Sequence, residues 1–109
     1  MNPTVLIALC TCPDAGAADR IAATLVDEGL AACVNLVPGL TSVYSWQGEI
    51  QRDAEVLLLI KTTQTRLPEL TNRVRGLHPY ELPELIAVPV SDGLPDYLQW
   101  VITCTSPDA

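Results

Sequence analysis

The chain has 109 residues, which predicts a single domain over residues 1–109 and leaves no room for a second. Its net charge is -7, and its six Lys and Arg residues form no cluster that could neutralise a row of phosphates. We therefore expect no nucleic-acid partner. The first apolar run, Val5 to Cys10, is too short to span a bilayer and lacks the cationic start of a secretory signal. These features predict a cytoplasmic protein with no membrane association.

The first third of the chain predicts a strand followed by a helix. Residues Thr4 to Cys12 are almost entirely apolar, as in a strand, and Asp14 is placed to cap a helix. Apolar residues then recur at helical spacing, at Ala18, Ile21, Ala22 and Leu25. Gly29 is well placed to end this helix.

The middle of the chain predicts a hairpin of two long strands. Residues Leu30 to Gln47 are rich in apolar and β-branched side chains, and Pro38-Gly39 interrupts them as a bulge on an edge strand would. Gln47-Gly48 is a turn signal. Glu55 to Thr63 contains five consecutive apolar residues, which is typical of a strand buried on both faces.

The last third predicts a helix, a strand and a short closing helix. Thr65 is expected to cap the second helix, and Pro79 to end it. The apolar face of that helix comprises Leu67, Leu70, Val74 and Leu77. Leu85 to Val90 predicts the fourth strand, and Tyr97 to Ile102 the closing helix. The order βαββαβ predicts an α+β, ferredoxin-like antiparallel sheet with a short C-terminal helix.

The strand pattern also predicts self-association. Two helices cover one face of a four-stranded sheet, yet the first and third strands are apolar on both faces. The C-terminal tail is too short to cover the second face, so a second copy of the chain is the economical cover. The hairpin over residues 40–60 is the natural element to reach a neighbour, and Trp46 beside its turn is a candidate interface anchor.

Four runs in sequence carry a resemblance to a known family. They are Ala31 to Gly39 (AACVNLVPG), Ser42 to Gly48 (SVYSWQG), Glu55 to Thr62 (EVLLLIKT) and His78 to Glu84 (HPYELPE), followed by Tyr97 to Trp100. In this order and at these separations they resemble the CutA divalent-cation-tolerance proteins over nearly the whole chain.

The resemblance implies a ferredoxin-like homotrimer, related in architecture to the PII signalling proteins, that is not an enzyme. It also implies a role in tolerance to copper or other divalent cations, with metal ligands at Cys10 and His78. Some relatives carry two adjacent histidines, whereas this chain has Leu77 before His78. This departure removes one histidine that those relatives could use as a ligand within a single chain.

Topology permits the two ligands to meet. In this fold the first strand ends where the fourth begins, so Cys10 and His78 are expected at one end of the domain and Cys33 at the other. A thiolate and an imidazole suit copper or zinc. Two ligands are too few for a closed site, so Cys12, Glu81, Glu84 or a neighbouring subunit would complete it. Alternatively, His78 is a structural residue at the helix end.

Two other functions stay open on the sequence. The first is a PII-like sensor that binds a small anionic metabolite in inter-subunit clefts, with Lys61 as the anion-binding cation or, more simply, as a strand-end charge. The second is an enzyme, which is the weaker of the two. The chain has one histidine, no Ser-His-Asp set and no glycine-rich phosphate loop.

Overall fold

The computed structural model describes residues 2–107, which form the seven predicted elements in the predicted order. They are β1 (Val5–Cys12), α1 (Ala15–Asp27), β2 (Cys33–Trp46), β3 (Glu49–Thr63), α2 (Leu67–Leu77), β4 (Ile86–Pro89) and α3 (Pro95–Cys104). None of the helices within residues 2–107 has the length and apolarity needed to cross a membrane.

The four strands form one antiparallel sheet in the order β2-β3-β1-β4. β1 lies inside the sheet and pairs with β3 along its whole length, so that Cys10 lies opposite Leu58. On its other side β1 pairs with β4, where Leu9 lies opposite Ile86. The expected α+β, ferredoxin-like arrangement is confirmed, and it brings the end of β1 to the start of β4.

Local signals fix most of the element ends. Asp14 caps α1 by accepting a 2.8 Å hydrogen bond from the backbone N–H of Ala17. Gly29 follows α1 with φ of 70°, a conformation that favours glycine and ends helices. Gln47 and Gly48 both have positive φ and form a two-residue turn between Trp46 and Glu49, as the sequence predicts.

Two of the local predictions are wrong. Thr65 does not cap α2; Arg66 occupies the cap position without a side-chain hydrogen bond. A proline in the first turn removes one of the N–H groups that a cap would satisfy, so the helix needs the cap less. The second concerns the distal half of β2, where residues 41–46 alternate between apolar and polar as a half-buried strand would. Val43 and Trp46 lie on opposite faces, yet both are exposed.

The helices α1 and α2 close one face of the sheet. The core there comprises the inward residues of β1 (Ala8, Cys10 and Cys12), those of β3 (Val56, Leu58 and Ile60), and helical residues led by Ile21, Leu25, Leu70 and Val74. Most of these side chains are fully buried. We call this the closed face.

The opposite face, which we call the open face, is only partly covered. α3 lies over one end of it, where Val101 packs against Val5 and Ala32. Where α3 does not cover this face, apolar side chains of β1, β3 and β4 are half-buried or exposed, namely Ile7, Leu9, Leu57, Leu59, Ile86 and Val88. Within one chain, the apolar strands are therefore completely buried on the closed face and only partly buried on the open face.

The β2–β3 hairpin lengthens the molecule, which measures 46 × 26 × 22 Å. Pro38 and Gly39 lie at a register shift between Val37 and Leu40, which is the bulge that the sequence predicts. Beyond the bulge, both faces of the hairpin are largely exposed.

Candidate metal site

β1 presents two thiols to the closed face. Because side chains alternate along a strand, Cys10 and Cys12 point the same way, towards the helices. Neither has any exposed surface, and neither forms a disulfide. They lie opposite Leu58 and Val56 of β3, so the thiols lie in an otherwise apolar layer.

His78 approaches the same place from the end of α2. It is the C-cap residue, with its backbone N–H bonded to the Val74 carbonyl, and Pro79 then redirects the chain. Its ring is buried. Nε2 lies 2.8 Å from the Thr11 carbonyl oxygen, and Nδ1 accepts a 3.1 Å hydrogen bond from the Tyr80 backbone N–H. These partners place the ring proton on Nε2, in a neutral imidazole.

The three side chains form one compact group. The sulfurs of Cys10 and Cys12 and a ring nitrogen of His78 lie within 4.8 Å of one another, and Cys12 Sγ is 3.9 Å from His78 Nε2. All three residues are buried. Two sulfurs and one nitrogen form a donor set that suits zinc or copper, since both bind thiolate and imidazole.

The two thiols differ in acidity. A hydrogen bond between them raises the pKa of Cys10, and burial adds to this effect. The same hydrogen bond lowers the pKa of Cys12. A thiol that donates to its neighbour is harder to ionise, whereas a thiolate that accepts is stabilised. Cys12 is therefore the first of the pair to ionise.

Among the residues considered as further ligands, Cys12 is the one that lies in a close group with Cys10 and His78 within residues 2–107. Glu81 and Glu84 lie in an exposed loop and belong to no group of three close metal-ligand side chains within residues 2–107. The sequence signal for Cys12 was its position two residues after Cys10 on one strand, which places both thiols on one face.

Tyr80 holds the loop after His78 against β3. Its hydroxyl donates a 2.7 Å hydrogen bond to Glu55 Oε2, and its ring centroid lies 4.8 Å from that of His78. Burial, followed by the hydrogen bond to Glu55, raises the pKa of Tyr80, so the hydroxyl remains a donor. This contact joins positions 25 residues apart, and no local pattern predicts it.

Lys61 lies away from this group, on the open face near the end of β3. Its register partners are Ile7 on β1 and Cys33 on β2. Its ammonium donates to Asn35 Oδ1 and lies 3.9 Å from the Cys33 sulfur. Lys61 is therefore paired with neutral groups, and its role in anion binding stays a prediction.

Trp46 lies at the tip of the hairpin with 47% of its surface exposed. It lines a cavity of about 690 Å³ between the hairpin and the loop over residues 79–84. Exposure of a large aromatic side chain fits an interface role, which no contact in a single chain tests.

The sequence matches known proteins along most of its length. The model of the CutA1 divalent ion tolerance protein family matches residues 6–104. The chain is 53% identical over 95 residues to the divalent-cation tolerance protein CutA of Thermus thermophilus, covering 87% of this chain and 92% of that one. It spans only 55% of the length of the mouse and human proteins named CutA.

The fold matches solved structures equally well. A structure of the divalent cation tolerance protein from Thermus thermophilus superposes with a TM-score of 0.92 at 50% identity, covering 94% of this chain and 99% of that one. The apo form of a protein from Nostoc sp. PCC 7120, described as PII-like protein CutA, superposes with a TM-score of 0.85 at 41% identity, covering 92% and 96%.

Proposed function

The chain belongs to the CutA1 divalent ion tolerance family, and from this premise we propose that it binds copper or zinc through Cys10, Cys12 and His78. The observation that carries this proposal is the group of three donor atoms within 4.8 Å of one another. The donors are soft or borderline, which favours copper and zinc over calcium and magnesium. Metal binding at this group would be the chain's contribution to cation tolerance.

Binding must rearrange the surroundings of His78. Coordination through Nε2 requires the ring proton to move to Nδ1, which now accepts from the Tyr80 N–H. The hydrogen bond from Nε2 to the Thr11 carbonyl is also lost. Metal binding therefore competes with two existing hydrogen bonds, and we expect a modest, reversible affinity.

A titration of the purified protein with zinc, and with copper(I) under reducing conditions, tests the site. Cys10→Ser, Cys12→Ser and His78→Ala should each weaken binding by about tenfold or more, as loss of metal-site groups commonly does. The control is Cys104→Ser, because Cys104 lies on α3 outside the group. If all three variants bind like the parent, the metal site lies elsewhere and His78 has only its structural role.

Proton release is a second, independent measurement. Two thiols must lose their protons when both sulfurs bind a metal, whereas the neutral imidazole has none to lose overall. Calorimetry in two buffers of different ionisation enthalpy should detect this release. Affinity should fall as pH falls, because protons compete with the metal for both sulfurs.

We propose a homotrimer, with the open face as its interface. The support is the row of incompletely covered apolar side chains on β1, β3 and β4, together with the protruding hairpin. Apolar surface of this kind is buried by association. Sedimentation equilibrium at micromolar concentration should give about three times the chain mass. A monomer would contradict the proposal.

Relatives are named as tolerance proteins, and we propose that this chain is likewise not an enzyme and acts in the cytoplasm.

A PII-like sensor is the alternative function, and the name of the Nostoc protein favours it. Its predicted ligand is an anion bound in clefts between subunits, and Lys61, which lies on the open face, is the cation that would bind it. Capture of a small organic anion that depends on Lys61 would favour the sensor.

A further inference from the structure

Within the metal group formed by Cys10, Cys12 and His78, the histidine is tied to the surrounding chain through both ring nitrogens. Nε2 lies 2.8 Å from the Thr11 carbonyl oxygen, and Nδ1 accepts a 3.1 Å hydrogen bond from the Tyr80 backbone N–H. Coordination through Nε2 leaves the ring proton on Nδ1, where it would face that N–H, and two donors form no hydrogen bond. Coordination through Nδ1 would displace the same N–H. Either way, the imidazole and the backbone of Tyr80 must separate.

Tyr80 is held in place from its other side by β3. Its hydroxyl donates a 2.7 Å hydrogen bond to Glu55 Oε2, and its ring centroid lies 4.8 Å from that of His78. Glu55 is 7% exposed and takes part in neither of the two salt bridges found within residues 2–107. A hydrogen bond to a carboxylate is roughly twice as strong as one between neutral groups. Glu55 therefore resists the movement of Tyr80 that coordination by His78 requires.

The rest of the loop over residues 79–84 has few attachments of its own. Its side chains are exposed or half-buried, and Leu82 is 74% exposed. In the part of the chain that the structure describes, Tyr80 is the one residue of this loop whose side chain forms a hydrogen bond or an ion pair. The position of the loop beside His78 therefore depends mainly on the contact between Tyr80 and Glu55.

We propose that the hydrogen bond from Tyr80 to Glu55 is a latch that keeps Nδ1 of His78 occupied and so lowers the affinity of the metal group for its ion. This inference rests on the proposed metal function and adds a means of regulating it. Coupling of this kind is reciprocal, so occupancy of the metal group weakens the latch and frees the loop. Tyr80 is a positioning residue, because it acts on the donors through His78 and is not itself a ligand.

Tyr80→Phe tests the latch, because it removes the hydroxyl and keeps the ring beside His78. The variant should bind zinc about fivefold or more tightly than the parent, a factor within reach of one hydrogen bond to a charged group. Loss of a residue that merely supports a metal site has the opposite sign, since it weakens binding. The matched control is Tyr44→Phe, which removes a hydroxyl that donates to Asp53 on the hairpin and should leave zinc affinity unchanged.

Two measurements by nuclear magnetic resonance follow the latch directly. His78 is the sole histidine of the chain, so its ring nitrogen signals need no further assignment. Zinc should move the ring proton from Nε2 to Nδ1 if coordination uses Nε2. In the parent, zinc should also speed exchange of the Tyr80 amide hydrogen with solvent, because that N–H loses its acceptor. Exchange is measured on the parent alone, so it tests the latch even if Tyr80→Phe is poorly folded.

The latch is overturned if Tyr80→Phe binds zinc as the parent does or more weakly. It is also overturned if zinc leaves exchange of the Tyr80 amide unchanged or slows it. Either result, with the parent still binding zinc through Cys10 and Cys12, leaves the proposed metal function intact. If the parent and Tyr80→Phe both fail to bind zinc, or if Cys10→Ser and Cys12→Ser bind it as the parent does, the metal site and the latch are both overturned.

Discussion

The two faces of the sheet are built from the same strands but differ in how completely their side chains are buried. On the closed face, Leu58 and Ile60 of β3 have no exposed surface, because α1 and α2 cover them. On the open face, Leu57 and Leu59 of the same strand stay half-buried. One run of consecutive apolar residues therefore contributes fully buried side chains to one face and partly exposed side chains to the other. The hydrophobicity of a strand alone does not distinguish a core from an interface.

The polar residues sharpen this contrast. Beside its apolar layer, the closed face contains the small thiols, the neutral His78 and the hydroxyl of Thr62, which donates to the Leu30 carbonyl. The open face contains Lys61 and Glu55 between its apolar side chains. Charges are tolerated where water or a partner can reach them and are avoided in a closed core.

The largest expected effect comes from truncating the closed face. Leu58→Ala should lower the free energy of unfolding by about 2–5 kcal/mol, because it leaves a cavity in a fully packed core. Leu59→Ala, one residue along the same strand, should instead weaken assembly. Denaturant unfolding at two protein concentrations separates the two variants, since only the interface variant should depend more strongly on concentration than the parent.

If Leu59→Ala destabilises the chain as much as Leu58→Ala at every concentration, the two faces do not differ in this way. The same result would argue that the open face is covered within one chain.

Trp46 gives the next largest effect. Trp46→Ala should weaken association by roughly 2 kcal/mol or more, because large aromatic side chains commonly anchor interfaces. Ile50→Ala is the matched control, since Ile50 is 68% exposed and lies on the other face of the same hairpin. Sedimentation velocity over a dilution series measures the difference. Equal dissociation of the two variants would show that Trp46 is not an anchor.

The sequence predicts the fold well because its signals are local. Asp14, Gly29 and the Gln47-Gly48 turn each act within a few residues, and each appears in the structure as predicted. The fourth strand is shorter than expected, from Ile86 to Pro89. β4 is an edge strand and pairs with β1 only, so its ends depend on where β1 pairs with it. The sequence of β4 alone does not contain this information.

The candidate sites were harder to predict because their contacts are long-range. Topology alone places Cys10 and His78 at one end of the domain, but the choice of Cys12 over Glu81 depends on how the loop after α2 folds. That loop is held by the hydrogen bond from Tyr80 to Glu55. Only the tertiary structure brings these residues together, so no local sequence pattern distinguishes among the candidate donors.

The smallest expected effect concerns an ion pair on the outer side of the closed face. Arg73 on α2 bonds to both carboxylate oxygens of Glu28 at the end of α1, at 2.8 to 3.2 Å. This hydrogen bonding lowers the pKa of Glu28. A carboxyl group whose pKa is lower in the folded state stabilises the protein above its unfolded pKa, and this stability is lost as pH falls through the folded value.

Arg73→Ala should therefore lower the melting temperature slightly at pH 7, and the difference from the parent should shrink towards zero at about pH 3 or below. The effect should also shrink in high salt, because both side chains are exposed to solvent. Arg75→Ala on the same helix is the control, since Arg75 makes no ion pair within residues 2–107 and should show no such pH dependence. The pair links two helices of one chain across the closed face, so its contribution should not change with protein concentration. A difference between parent and Arg73→Ala that persists undiminished in acid would mean that Arg73 stabilises the helices by packing instead of by its charge.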